Sequence, residues 1–228
     1  MTAPTGPQLV IDSASTDAVV GVVDGDAVRA ERRWTVDTNY SRELLAGIDA
    51  VLRDAEASRD DLAAVVVDAG PGGYGGLRSG VATAQGLAFA LDIPLAGVSR
   101  LELAAFPHLD RARPVVAVHH AGGNRVAWAA YLATAGAPAV LAEPRLETVE
   151  DCVREAPAGA LWCGEVRAEL AAARDAARTG DADVPPDDNM RRAADLVRLA
   201  RLHEAYGDPA LVDVVYLRPP PITPSTRR

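Results

Sequence analysis

Residues 65–98 read VVVDAGPGGYGGLRSGVATAQGLAFALDIPLAGV. The run divides into a strand of central type, a glycine-dense turn, a long apolar helix and a second buried strand. Five of the seven residues from Gly70 to Gly76 are glycine and one is proline. The spacing predicts a helix from Leu77 to Leu91. Leu77, Val81, Ala84, Ala88 and Leu91 mark one face, and Ala82, Gly86, Phe89 and Ala90 mark the other. Only Arg78, Ser79, Thr83 and Gln85 are polar. A helix with so little polar surface calls for cover on both sides, from its own sheet and from a partner. The small residues Gly80, Ala84 and Ala88 invite a second helix to come close, so Arg at Ala84 or Ala88 is expected to break association and leave the fold intact.

Outward from this unit, Leu9 to Asp12 is a short apolar strand ending in an acid. Residues 13–18 turn the chain, and 19–34 read as a hairpin folded at Asp24-Gly25-Asp26. Thr38 to Ser58 is a helix, with Leu44, Leu45, Ile48, Val51, Leu52 and Ala55 at steps of three and four, capped by Thr38 or Ser41. Ser99 caps a short helix through Phe106. A second unit begins at Pro114: PVVAVHH, the turn AGGN and RVAWAAYLA repeat the opening strand-turn-strand arrangement. Helices are expected over Val149–Glu155, Glu165–Arg178 and Met190–Tyr206, with a strand at Ala160–Gly164 and a loop over Thr179–Asn189. VVYLR is read as a last short strand, followed by a disordered tail. Three segments result: a first lobe over 1–112, a second over 113–205, and a C-terminal strand and tail over 206–228 that returns to the first lobe.

The totals limit the function classes. A chain of 228 residues with 49% hydrophobic residues suits one large domain or two lobes, and with only 4% aromatics its core must be Ala, Val and Leu. All 23 basic residues are Arg, and the net charge of −9 argues against the chain gripping nucleic acid by itself. Cys152 and Cys163 form no CxxC motif and are read as buried thiols in a reducing compartment. The N-terminus has no secretory pattern and no stretch is long and apolar enough to span a bilayer, so a soluble, cytoplasmic protein is expected.

Three constellations bear on chemistry. The glycine turn before a helix can aim backbone N–H groups at an anion, or can simply let a neighbouring backbone come close; with no Gly-Lys-Ser/Thr it is not a Walker loop. Asp12 with Ser13, Ser15 and Thr16 has the composition of a phosphate and metal loop, or of an ordinary Asx turn. Taken together, Asp12, Ser13, Gly70, Gly72, Gly73 and Gly76 outline a phosphate loop or its remnant. His108, His119, His120 and His203 include no i, i+4 pair, and adjacent His119 and His120 point to opposite faces of a strand, so no metal site is expected.

These residues resemble a known family. LVIDSAST, NYSRELLAGIDAVL, GPGGYGGLRSGVATAQGLAFALDIPLAGVS, RRAADLVRLAR and VVYLR are similar to the opening strand, first helix, central GPGSFTGLRIG-type segment, C-terminal helix and last strand of bacterial TsaB (YeaZ-type) proteins. These are accessory subunits in making threonylcarbamoyladenosine in tRNA. The chain departs from the family at Gly73, Tyr74, Gly75 and Ser79, and has His119-His120-Ala121-Gly122-Gly123 in place of an acid-bearing segment. The resemblance implies an α/β, two-lobed fold of the actin, sugar kinase and Hsp70 type, with a reduced second lobe. It implies a non-catalytic subunit lacking the HxxxH pair of the TsaD sister. Its partners would be a TsaD-type subunit, a TsaE-type ATPase, a second copy when alone, and tRNA only indirectly. It implies no cofactor of its own, with room for weak ATP or ADP binding at a complex interface. Combined with the helical pattern, it assigns partner binding to Leu45, Leu52, Leu77, Arg78, Val81, Ala84, Gln85 and Ala88. The competing reading is an ATP-dependent phosphotransferase using Asp12 for metal and Gly70 to Gly76 for phosphate.

Overall fold

The computed structural model describes residues 3–36, 40–109, 112–134 and 137–217. The first strand β1 (Pro7–Asp12) is flanked by β2 (Asp17–Asp24), which pairs with it antiparallel, and by β4 (Ala64–Gly70), which pairs parallel. With β3 (Ala27–Thr35) and β5 (Leu95–Ser99) the sheet order is β3-β2-β1-β4-β5. A second sheet holds β6 (Val115–His120), β7 (Arg125–Ala133), β8 (Pro138–Thr148), β9 (Leu161–Gly164) and β10 (Ala182–Asp183), in the order β10-β9-β6-β7-β8. Read from its other edge, this is the first sheet's order again: a central strand, an antiparallel hairpin on one side and parallel strands on the other. The molecule is thus a two-lobed α/β protein, and the repeat lies in topology rather than in residues.

Helices α1 (Tyr40–Asp54) and α2 (Tyr74–Leu91) cover the outer face of the first sheet, burying Leu44, Ile48, Val51, Val81, Ala84 and Ala88 against Leu9, Ile11, Val65 and Val67. Helices α4 (Val149–Glu155) and α5 (Ala168–Ala177) do the same for the second sheet, around Trp128 and Trp162. The inner faces are covered by exchange. Leu101 and Ala105 of α3 (Arg100–Ala105), a first-lobe helix, pack on Val115, Ala117 and Ala129 of the second sheet. Leu196, Val197 and Leu199 of α6 (Ala193–Leu202) pack on Val10, Val66 and Ala96 of the first. A boundary at 113–205 therefore assigns α6 by chain position to the second lobe, while its apolar stripe belongs to the first sheet.

Several local expectations shift. Helix α2 begins three residues earlier than predicted, drawing Tyr74, Gly75 and Gly76 into its first turn. The expected helix over Met190–Tyr206 shortens to α6, and that over Glu165–Arg178 to α5. Strand β8, an edge strand holding Pro138 and Pro144, and the two-residue β10 have no strong pattern in the sequence, because prolines are tolerated only where one side of the strand is unpaired. The segment read as a C-terminal strand forms no strand over its described residues. It returns to the first lobe through the bridge of Gly207 to Leu95, the hydrogen bond from Val215 N–H to the Ala69 carbonyl at 2.8 Å, and contacts with α2. Thr38 and the terminal tail lie outside the described residues. Cys152 and Cys163 are free and buried, and burial pushes the Cys152 thiol up to about 12.

The β1–β2 turn presses directly on α2. A Cβ at Gly76 would lie 2.2 Å from the Ser13 carbonyl oxygen, whereas one at Gly75 would meet nothing within 4 Å. Gly76→Ala should therefore cost more than about 2 kcal/mol, since backbone must move to admit it. Gly75→Ala should stabilise by roughly 0.5 kcal/mol through helix propensity. Denaturant unfolding of the two variants against wild type checks the contrast.

Candidate functional site

The expected phosphate loop is filled by its own chain. The Ala14 carbonyl, at the tip of the β1–β2 turn, accepts the Gly73 N–H at 2.8 Å, and Ser13 Oγ donates to the Gly76 carbonyl at 2.8 Å. A Cβ at Gly72 would lie 2.3 Å from the Ala14 oxygen, and one at Gly80 would lie 2.2 Å from Ser13 Oγ. Gly70, at φ +102° in the left-handed range, donates its N–H to Asp68 Oδ1 at 2.8 Å. The glycines thus serve close backbone approach, and the N–H of Gly73 is already engaged.

Behind the turn lies a buried ionic cluster between the lobes. Ile11 and Val67 are register partners on parallel β1 and β4, so Asp12 and Asp68, one residue on, lie side by side on the inner face at the carboxyl ends of their strands. Asp12 is fully buried and Asp68 is 2% exposed. Arg191, from the loop before α6, donates Nε–H to Asp12 Oδ2 at 2.6 Å and Nη2 to Ser15 Oγ at 2.7 Å. Two residues earlier, Asn189 holds the second lobe. It accepts the Gly164 N–H at 2.8 Å and donates to the Gly164 carbonyl at 2.7 Å. Arg100, the first residue of α3, donates to the Ala14 carbonyl at 2.8 Å and to Glu165 Oε1 at 2.5 Å. Glu165 Oε2 accepts the His120 N–H at 3.0 Å and lies 3.1 Å from His119 Nδ1. A carboxylate only accepts, so the proton between them is on Nδ1.

Burial pushes Asp12, Asp68, Glu165, His119 and Arg191 toward neutrality, and the neighbours decide which ones resist. Burial alone would raise Asp12, but Arg191 and Arg100 hold it below its ordinary range. Burial likewise works against Glu165, and His119, Arg100 and the His120 N–H bring it well below. Asp68 is raised well above its ordinary value, by burial and then by the Asp12 charge; its Oδ2 is buried with no hydrogen-bond partner. Burial lowers His119. Within the cluster Arg191 faces the Asp12 carboxylate and Arg100 the Glu165 carboxylate, while Asp68 and His119 are both shifted toward their neutral forms. A cleft of about 170 Å³ lined by Ser15, Arg100, Glu165, Asn189 and Arg191 adjoins it. Another of about 230 Å³ separates Gly72 and Gly73 from His119 and His120. Among the described residues no three His, Cys, Asp or Glu side chains are grouped so as to hold a metal ion.

The expected partner-binding residues divide. Leu45 is exposed on α1. Leu52, Leu77, Val81, Ala84 and Ala88 are buried in the chain's own core, between α2, α1 and the sheet, so Arg at Ala84 or Ala88 would unfold the lobe rather than test a contact. Gln85 is committed within the chain, donating to the Val212 carbonyl at 2.9 Å and the Pro209 carbonyl at 3.2 Å. Arg78 is exposed yet donates to the Tyr216 hydroxyl at 2.6 Å and lies over the Tyr74 and Tyr216 rings. The face of α2 left open consists of Gly75, Ala82, Gly86, Phe89 and Ala90. Gly86 has nothing within 4 Å of where a Cβ would stand, and Phe89 is 57% exposed. Beside this face, the Ser41 hydroxyl on α1 meets that of Ser79 on α2 at 2.6 Å, one turn before Leu45. The four-residue spacing of Ala82, Gly86 and Ala90 carried this signal in the sequence, but period alone could not say which of two apolar faces met the sheet.

Asp12 and Glu165 have depressed values, so their stabilisation is in place above the ordinary carboxylate range and is lost as pH falls through and below it. Asp68 has the opposite sign: its contribution is full below that range and is lost as pH rises through its raised value. Asp12→Asn, which strands Arg191, should cost about 3–5 kcal/mol and flatten the acid limb of stability against pH. Asp68→Asn should stay within about 1 kcal/mol of wild type and remove the loss at higher pH. Denaturant titrations across pH measure both.

The family model for TsaD, tRNA N6-adenosine threonylcarbamoyltransferase, matches residues 35–162, more than half of the chain. The chain is 36% identical over 97 residues to the tRNA threonylcarbamoyladenosine biosynthesis protein TsaB of Bacillus subtilis, covering 42% of each. It is 40% identical over 80 residues to the tRNA N6-adenosine threonylcarbamoyltransferase of Geobacter metallireducens, covering 34% of this chain and 24% of that protein. The chain thus spans less than half the length of these curated relatives. Among solved structures, YeaZ from Pseudomonas aeruginosa superposes with a TM-score of 0.77 at 21% identity, over 93% of this chain and 100% of that one, which shows the shared fold.

Proposed function

The chain belongs to the TsaD family and resembles its TsaB (YeaZ-type) branch, and from that premise we propose that it is a non-catalytic subunit that docks on a TsaD-type enzyme in threonylcarbamoylation of tRNA adenosine. The observation that carries this reading is the open face of α2. A glycine in mid-helix costs about 1 kcal/mol relative to Ala. Gly86 bears that cost with open space around it, so its own fold supplies no reason for it. A partner helix approaching at backbone distance does. Ala82 and Ala90 continue the shallow surface, and Phe89 and Leu45 offer the larger apolar contacts.

The self-filled glycine turn and the Arg191–Asp12 ion pair count against the phosphotransferase alternative, because both take up groups that a nucleotide and its metal would need. A TsaE-type ATPase would then act on the assembled complex, and tRNA would be held by the partner, consistent with a net charge of −9. The same face would serve a homodimer when the enzyme is absent. Among the described residues no helix is long and apolar enough to cross a membrane, and a cytoplasmic location is consistent with the proposed role in tRNA modification.

Co-expression with a TsaD-type subunit from the same host tests the proposal directly. The two chains should co-purify, and Gly86→Arg or Ala82→Arg should reduce affinity at least tenfold while the melting temperature of the isolated chain stays within about 2 °C of wild type. Unchanged co-purification of both variants would rule this face out as the contact.

A further inference from the structure

Taking the open face of α2 as the place where a TsaD-type subunit docks, we infer that the C-terminal segment 207–216 is the second rim of that face, opposite α1. Leu211 is the rim's apolar contact with the subunit, and Gln85 is the positioning residue that holds it there. Successive residues of an α-helix turn by about 100°, so Arg78 and Gln85 share one flank of α2, while Ser79 lies roughly 100° or more further round. Ser79 meets Ser41 of α1, and Ala82, Gly86 and Phe89 fall between the two flanks. The segment 207–216 runs along the flank of Arg78 and Gln85. Gln85 Nε2 donates to the carbonyls of Pro209 and Val212, on either side of Leu211, and Arg78 Nε donates to the Tyr216 hydroxyl. The open face is thus a shallow floor between two edges, α1 with its exposed Leu45 on one side and 207–216 on the other. Such a furrow fits one helix of the partner, laid in by its apolar side.

Leu211 is 82% exposed, more than any other large hydrophobic side chain among the described residues. Its neighbours are sorted the other way, since Val212 and Val214 pack on the first-lobe core. Nor is this the exposure of a loose end. Pro209–Leu211 is a single 3-10 turn whose preceding Asp208 side chain accepts the Ala210 N–H at 2.9 Å. Just before it, the Gly207 N–H reaches the Leu95 carbonyl at 3.0 Å and the Leu95 N–H returns to the Gly207 carbonyl at 3.1 Å. A leucine fastened in one place with its side chain in water adds little to its own fold, and burial against a second chain supplies the missing apolar term. Because the segment is already ordered, that contact costs little further conformational entropy.

The experiment measures the affinity of the full chain for a TsaD-type subunit from the same host. Leu211→Ser should weaken binding about tenfold, the scale of one leucine leaving an interface, with the melting temperature of the isolated chain within about 2 °C of wild type. Gln85→Met, which fills similar space but donates no hydrogen bond, should weaken binding about fivefold. Added to Gln85→Met, Leu211→Ser should cost less than about twofold, because the rim is no longer held against the face. An equal cost of Leu211→Ser in both backgrounds would make Gln85 merely structural and overturn its positioning role. If Leu211→Ser binds as wild type while Gly86→Arg does not, the rim is overturned and the docking face stands. If neither weakens binding, the docking face falls and the rim with it.

Discussion

The contact on which the rest of the structure depends is between backbone and backbone. Ala14 and Ser13, at the tip of the first hairpin, lie so near to Gly72, Gly76 and Gly80 that no Cβ fits between them. This approach sets where α2 starts and how it lies on the sheet. It also spends the Gly73 N–H that a bound anion would need. A glycine-rich turn between strand and helix has two physical uses, cradling a ligand or admitting a neighbour, and here the neighbour has taken the place.

From that contact follows the sidedness of α2. With Gly76 and Gly80 against the hairpin, Leu77, Val81, Ala84 and Ala88 must enter the core, and Ala82, Gly86, Phe89 and Ala90 must face out. The inner faces of the two sheets are closed differently, by the exchange of α3 and α6. Exchange makes each lobe depend on a helix contributed by the other half of the chain. It also brings Arg100 and Arg191, which flank those helices, to the buried acids at the strand ends. The ionic cluster is thus a product of the exchange and joins the lobes through the Arg191–Asp12 and Arg100–Glu165 pairs.

Much of this was legible in the sequence. The non-alternating AVVV and LAGV runs, the hairpin at Asp24-Gly25-Asp26 and the three-four spacing in α1 each report a local periodicity that burial enforces directly. Strand β8 was not legible, because its two prolines mask a pattern that an edge strand tolerates. For the candidate site, Asp12 and the glycines stood out but Arg191 did not. One arginine among 23 carries no local mark of lying beside an aspartate 179 residues away. Period could not say which side of α2 meets the sheet, since Ala84 and Ala88, which the core takes up, are as small as the exposed Ala82 and Ala90.

The sequence by itself determined the α/β class, the two hairpin-led units and an apolar α2 with small residues on both faces, because each is a short-range pattern of side-chain size and polarity. Only the tertiary structure decided which face of α2 is outward, what the glycines are for, which helix closes which sheet and which arginine neutralises Asp12. Those outcomes depend on contacts between residues far apart in the chain, and distance in space is not encoded in local periodicity.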